Sequence, residues 1–128
     1  MTISKDTYPA ATPYLIVSDA SAMLRFMTAA FGATEQLVQR NPDGSVGHAE
    51  MKIGDSLIML GQAGGQWAPR TSALYLWVDD VDATYRKALA AGGTSESVPE
   101  DKPYGHRVAG VDMGGVTWWI GAPVKTRG

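Results

Sequence analysis

One stretch of this chain occurs twice. Leu15, Val17, Asp19, Ala22, Arg25, Ala29, Ala30, Gly32 and Glu35 recur as Leu76, Val78, Asp80, Ala83, Arg86, Ala90, Ala91, Gly93 and Glu96, each pair 61 positions apart (76 − 15 for the first). A second echo runs at a separation of 60, with Ile53-Gly54 and Leu60-Gly61 matching Met113-Gly114 and Ile120-Gly121 (113 − 53). A fixed separation carried across an apolar strand, an acidic helix start, a helix, a glycine and a hairpin marks a duplicated supersecondary module. Two copies in 128 residues make one closed domain rather than a solenoid.

The first copy reads as a strand over Thr12–Val17, a cap at Ser18-Asp19 and a helix to about Phe31. A short side-chain oxygen before an apolar-periodic segment takes an orphan backbone N–H. Met23, Phe26 and Ala30 fall at helical spacing, and Gly32 stops the helix because glycine accepts the left-handed conformation. Gln36–Arg40 is a short strand, Asn41-Pro42-Asp43-Gly44 a turn, and Val46–Ile53 with Leu57–Gly61 a hairpin through Gly54-Asp55.

Gln62–Ser72 carries Gly64-Gly65, Trp67 and Pro69 without periodicity and reads as the linker. The second copy follows: strand Ala73–Val78, a cap at Asp79 or Asp80, and a helix with Val81, Tyr85, Ala88 and Leu89 on its apolar stripe, ended by Gly92-Gly93. Ser97-Val98 is a short strand, Pro99–Gly105 a loop carrying Tyr104, and His106–Asp112 with Val116–Gly121 the last hairpin. Residues 1–11 read as a polar lead-in and Lys125–Gly128 as a tail. The expectation is a single α+β domain of two tandem β-α-β-β-β modules, about 12–62 and 73–122, joined by a linker at 63–72.

The net charge of −2 argues against nucleic acid, which needs a basic face, and no basic cluster is present to hold an anionic membrane. Cys is absent, which removes disulfides, thiolate metal sites and a Cys nucleophile. The polar start shows no signal peptide or membrane span, so a cytoplasmic protein is expected.

Several phrases resemble the vicinal oxygen chelate superfamily, which includes glyoxalase I, extradiol dioxygenases, fosfomycin-resistance enzymes and bleomycin-binding proteins. They are Thr12-Pro13-Tyr14-Leu15-Ile16-Val17, His48-Ala49-Glu50-Met51, Tyr75-Leu76-Trp77-Val78-Asp79-Asp80-Val81-Asp82-Ala83, Pro103-Tyr104-Gly105-His106-Arg107 and Thr117-Trp118-Trp119-Ile120. The likeness spans about residues 12–122 and is nearest to the PhnB-like or bleomycin-resistance-like branch. One departure is Asp112-Met113-Gly114-Gly115, where many relatives read Asp-Pro-hydrophobic-Gly. The resemblance implies curled mixed sheets around a cleft with helices outside, and a homodimer with clefts at or near the subunit interface. Such a scaffold hosts many functions.

Strand alternation then sorts the side chains. Leu15 and Val17 face the first helix and leave Thr12, Tyr14 and Ile16 to the cleft; Leu74, Leu76 and Val78 face the second and leave Ala73, Tyr75 and Trp77. In the hairpins His48, Glu50, Lys52, Leu57, Met59, Thr117 and Trp119 are cleft candidates.

Metal-dependent members of the superfamily place two His and a carboxylate at equivalent points of the modules. By the resemblance those points fall here at Thr12, Met59, Ala73 and Trp119, none of them a usual ligand. No metal and no other cofactor is expected. His48 and Glu50 share a strand face, where they can form an acid–base pair or hydrogen-bond one another on the rim. Arg107 can clamp a ligand anion or bind loop carbonyls. Asp79-Asp80 opens a helix, where paired carboxylates serve as caps, and Gly64-Gly65 lacks the helix and Lys of a phosphate loop.

The cleft is aromatic instead. Tyr14, Tyr75, Trp77 and Trp119 supply flat faces, Met59 an adaptable contact, and Trp67 and Tyr104 lie on loops able to close over a ligand. Trp118 belongs to the core. The expected function is a metal-free binding protein that sequesters a flat, largely apolar small molecule, plausibly an antibiotic or related natural product, as bleomycin-binding relatives hold their drug without reaction. The rival is an enzyme, a lyase or isomerase using His48 and Glu50 or a non-family metal site.

Overall fold

The computed structural model describes residues 8–125. Both modules form as the duplication implies. The first is β1 (Tyr14–Val17), α1 (Ala20–Phe31), β2 (Thr34–Arg40), β3 (Val46–Ile53) and β4 (Ser56–Gln62). The second is β5 (Ser72–Trp77), α2 (Val81–Ala90), β6 (Thr94–Asp101), β7 (His106–Met113) and β8 (Val116–Pro123). Each module keeps its own mixed sheet, ordered β1-β4-β3-β2 and β5-β8-β7-β6, and among the described residues neither closes into a barrel. β1 runs parallel to β4 and β5 parallel to β8, while the remaining neighbours are antiparallel.

The two helix starts are built alike. Asp19 and Asp80 sit in extended conformation and accept from Ala22 N and Ala83 N, each at 3.0 Å. Gly32 ends α1 at φ 68°, a left-handed conformation that lets its N–H close on the last turn. α2 ends earlier than Gly92-Gly93 suggests, with Ala91 as its cap at φ −81° and Gly92 following at φ 110°.

The sheet backs, both helices and the module junction share one apolar core. α1 buries Ala20, Met23, Leu24, Phe26, Met27 and Ala30, more than one stripe, because it packs on β1, β3 and β4 and also on α2. Phe26 and Phe31 reach across to Trp118 of β8, with ring centroids 6.2 and 5.0 Å apart. Trp118 is wholly buried, and among the described residues its indole Nε1 has no partner. With the helices on the sheet backs, the two sheet fronts carry the side chains that alternation leaves over.

Three expectations needed correction. Ser97-Val98 is not a short strand followed by a loop from Pro99: β6 runs unbroken through Thr94–Asp101, Pro99 included. β6 is an edge strand, and a proline there gives up no ladder hydrogen bond; the register shifts between Ser97 and Glu100 around it. β2 begins at Thr34 rather than Gln36, and β1 only at Tyr14, although Met59 N still bonds Pro13 O at 2.9 Å. Positions 1–7 of the lead-in and 126–128 of the tail lie outside the described residues. Among the described residues, no helix is long and apolar enough to cross a membrane.

Candidate functional site

The front of the first sheet holds a hydrogen-bonded chain of side chains. Glu50 on β3 is 3% exposed, so it is not the rim residue expected from sequence. His48, two positions earlier and therefore on the same face, places Nε2 2.8 Å from Glu50 Oε2. Tyr8 Oη and Gln36 Nε2 donate to Glu50 Oε1 at 2.9 and 3.1 Å. Gln36 reaches inward because β2 bulges between Glu35 and Leu37. Burial pushes the Glu50 carboxyl up, but the hydrogen bonds from His48, Gln36 and Tyr8 outweigh it and hold the group below its ordinary 4.5. A neutral-pH carboxylate accepts only, so His48 donates from Nε2 and, in the neutral ring, accepts at Nδ1. Tyr14 Oη lies 3.2 Å from that Nδ1, its ring stacked on the imidazole at 5.7 Å. Beside it Tyr14, Ile16, Gly47, Gly61, Gln62 and Trp67 line a cavity of about 360 Å³. The linker residue Trp67 reaches that cavity through a bridge to Gly64.

The front of the second sheet is mainly aromatic. Tyr75 and Trp77 alternate with half-buried Leu74 and Leu76 on β5 and are 46% and 56% exposed. Trp119 lies opposite Gly110 across the β7–β8 hairpin, and its ring occupies the space a Gly110 side chain would take: an added Cβ would sit 2.6 Å from Cζ3. Tyr75 Oη lies 3.0 Å from His106 Nδ1, in the room left by the missing Cβ of Gly121. Burial, with Tyr104 nearby, pushes the Tyr75 phenol up. Trp77 and Tyr104 both meet the His106 ring edge-on, at 4.7 and 5.1 Å. His106 is therefore the hub of this cluster, which the sequence reading did not single out. Its signal was present: it follows Tyr104 by two positions and begins a strand.

Arg107 points to carboxylates rather than loop carbonyls. Its Nε and Nη2 meet Asp82 at 3.0 and 3.2 Å, and its Nη1 meets Asp101 at 2.9 Å. Hydrogen bonds to Asp82 and then Asp101 raise its already high pKa. Glu96 is a second residue missed from sequence. The neighbouring Asp112 carboxyl raises its pKa, while Thr117 Oγ1 donates to Asp112 at 2.6 Å. Among the described residues, no hydrogen bond or ring contact joins the Tyr14–His48–Glu50 chain to the Tyr75–Trp77–Trp119 cluster. The expected site residues thus stand as two groups on two faces.

The family's metal-ligand points do not fit a metal. In the register, Met59 faces Glu50 and Trp119 faces Gly110, while Ala73 pairs with Thr117. Thr12, Met59, Ala73 and Trp119 offer no imidazole, thiolate or carboxylate. Among the described residues no three His, Asp or Glu converge on a common point.

Comparison with known proteins agrees with this architecture. Residues 9–120 match the model of the glyoxalase/bleomycin resistance protein/dioxygenase superfamily. An uncharacterized protein of Mycobacterium tuberculosis is 35% identical over 97% of this chain and 80% of its own length. One from Mycobacterium bovis is 36% identical over 91% of this chain and 85% of its own. Among solved structures, TioX from Micromonospora sp. ML1 superposes with a TM-score of 0.72 at 23% identity, covering 94% of this chain and all of that one (100%). A PhnB protein from Bacillus cereus gives 0.70 at 18% identity, covering 89% of this chain and 99% of that one. At those identities the structures speak for the fold. The match across nearly the whole chain, on the duplicated frame described above, settles the lineage: this protein belongs to the glyoxalase/bleomycin resistance protein/dioxygenase superfamily.

Proposed function

We propose that this protein binds and sequesters a flat, largely apolar small molecule, of the kind that drug-binding members of its superfamily hold without reaction. The observation that carries the reading is the pair Tyr75 and Trp77. Two large rings stand side by side on one strand face, each about half exposed, with Trp119 on the neighbouring strand. Adjacent large rings left exposed on one face favour a binding role, and walls of aromatic rings with few polar groups suit a small-molecule site. A second copy of the chain is the natural cover, bringing the front of one protomer's first sheet to the front of the other's second sheet. The ligand then lies between them, within a homodimer.

A panel of aromatic natural products, titrated into the protein and read by quenching of tryptophan fluorescence, tests this. Saturable quenching by a planar compound supports the reading. A panel without any saturable binder at micromolar concentration counts against it.

A further inference from the structure

The duplication supplies an internal control for the first sheet's polar chain. Glu50 and Gly110 are equivalent (110 − 50 gives the separation of 60), as are His48 and Val108. Glu50 faces Met59 across its hairpin, and Gly110 faces Trp119. The second module folds with valine and glycine at those places, so the scaffold needs neither the imidazole nor the carboxylate. Burying a carboxylate costs several kcal/mol before its partners offset it, and here three donors are committed to doing so. Tyrosine, by contrast, stands at the head of both modules, as Tyr14 and Tyr75.

From this asymmetry we propose that Glu50, His48 and Tyr14 form a proton-accepting relay that recognises an acidic hydroxyl, phenolic or enolic, on a flat ligand held in the cavity beside Tyr14 and Trp67. This names the ligand class for the binding reading above and rests on it. Glu50 fixes His48 with Nε2–H inward, leaving Nδ1 to accept from Tyr14 Oη. The Tyr14 oxygen keeps its own lone pairs free to accept, and Tyr14 lines the cavity. As the ligand hydroxyl gives its proton to the Tyr14 oxygen, the tyrosine's proton passes to His48 Nδ1. The ligand becomes an oxyanion hydrogen-bonded to neutral Tyr14, and the imidazolium is paired with the Glu50 carboxylate. No heavy-atom bond forms or breaks, and the step reverses when the ligand leaves. Among the described residues the second module's Tyr75–His106 pair has no carboxylate in contact with His106, so the relay is proposed for the first module.

The test uses 7-hydroxycoumarin and 7-methoxycoumarin, flat probes of nearly the same shape that differ in the acidic proton. Both are titrated into the full chain and into Tyr14→Phe, His48→Gln and Glu50→Gln variants, at a pH where the free hydroxycoumarin is protonated. The relay predicts that the parent binds the hydroxy probe at least about tenfold tighter, a difference of ~1.4 kcal/mol, with the phenolate absorption band appearing on binding. Tyr14→Phe and His48→Gln, both at partly exposed positions, abolish the preference and the band while methoxycoumarin still binds. Glu50→Gln does the same if it folds. Equal affinity of the parent for the two probes, a bound hydroxy probe that stays neutral, or a preference that survives Tyr14→Phe overturns the relay and leaves the small-molecule reading standing. Binding of neither probe overturns the relay as well, and the small-molecule reading is then decided by the panel above.

Discussion

Glu50 and Gly110 hold the same position in the two modules, and the difference between them divides the labour of the two faces. Behind Glu50 lie the donors His48, Gln36 and Tyr8; over Gly110 lies the ring of Trp119. One duplicated frame thus carries a hydrogen-bonded polar chain on one sheet and an aromatic shelf on the other.

Gly110→Ala tests the shelf. The added methyl collides with Trp119, whose ring is only partly buried, and also approaches Glu96 Cβ at 3.3 Å. Overpacking of this kind costs about 1–3 kcal/mol. The expected result is a lower melting temperature together with a changed Trp119 emission; an unchanged melt and spectrum contradict the placement of the ring.

Gly121→Ala probes the Tyr75–His106 contact. The methyl would overlap the Tyr75 phenol ring, which is the end of a half-exposed side chain and swings aside rather than breaking the sheet. Because the ring can give way, the cost should fall at or below the low end of overpacking, about 1 kcal/mol. The ring-current signature of Tyr75 on His106 in the NMR spectrum should disappear. Persistence of that signature argues that the phenol does not sit over Gly121.

Much of this was readable in the chain and some was not. Caps at Asp19 and Asp80, the αL glycine at position 32 and strand alternation are local rules, and the duplication checked each against its twin. Alternation separated Trp118, fully buried, from Trp119 on the front face. β6 was hidden because its Thr94–Asp101 text is polar and contains a proline, both tolerated on an edge strand. Glu50's burial was hidden for another reason. Its cover comes from Tyr8 and Gln36, which lie 42 and 14 positions away with no pattern pointing to it. That the site residues fall on two faces depends on how the modules pack, which no local rule reports.

Trp118→Ala should be a stability change without a binding change. Emptying the space beside Phe26 and Phe31 removes a fully buried indole and costs about 3–5 kcal/mol. Trp118→Phe should cost less than that volume loss alone implies, because the unpartnered buried Nε1–H goes with it. Calorimetry of both variants, with ligand titration of the folded fraction, checks this; Trp118→Ala protein that folds fully yet fails to bind contradicts it.

Glu50 contributes to the acid sensitivity of stability. Its folded pKa is depressed, so its contribution is present above the unfolded value near 4.5 and is lost as pH falls through the folded value. Melting temperatures of the parent and Glu50→Gln should differ most near neutrality and converge as pH drops below about 4.5. A gap that stays constant into strong acid shows that the carboxylate is not held ionised by its donors.

The homodimer predicts a mass of twice the chain in sedimentation at micromolar concentration. Replacing Trp77 by a charged residue should shift the equilibrium toward monomer, since its ring is 56% exposed in the single chain. A stable monomer in the parent removes the second copy as the cover of the aromatic face.

If Trp77 and Trp119 anchor a planar ligand, a titration of that ligand into parent, Trp77→Ala and Trp119→Ala will show it. Truncating a buried aromatic anchor costs about 2 kcal/mol or more at a binding hot spot. Each variant should therefore fold with a near-parent melting temperature and bind at least about thirtyfold more weakly. If both variants fold normally and bind the ligand as tightly as the parent, the aromatic face is not the binding site.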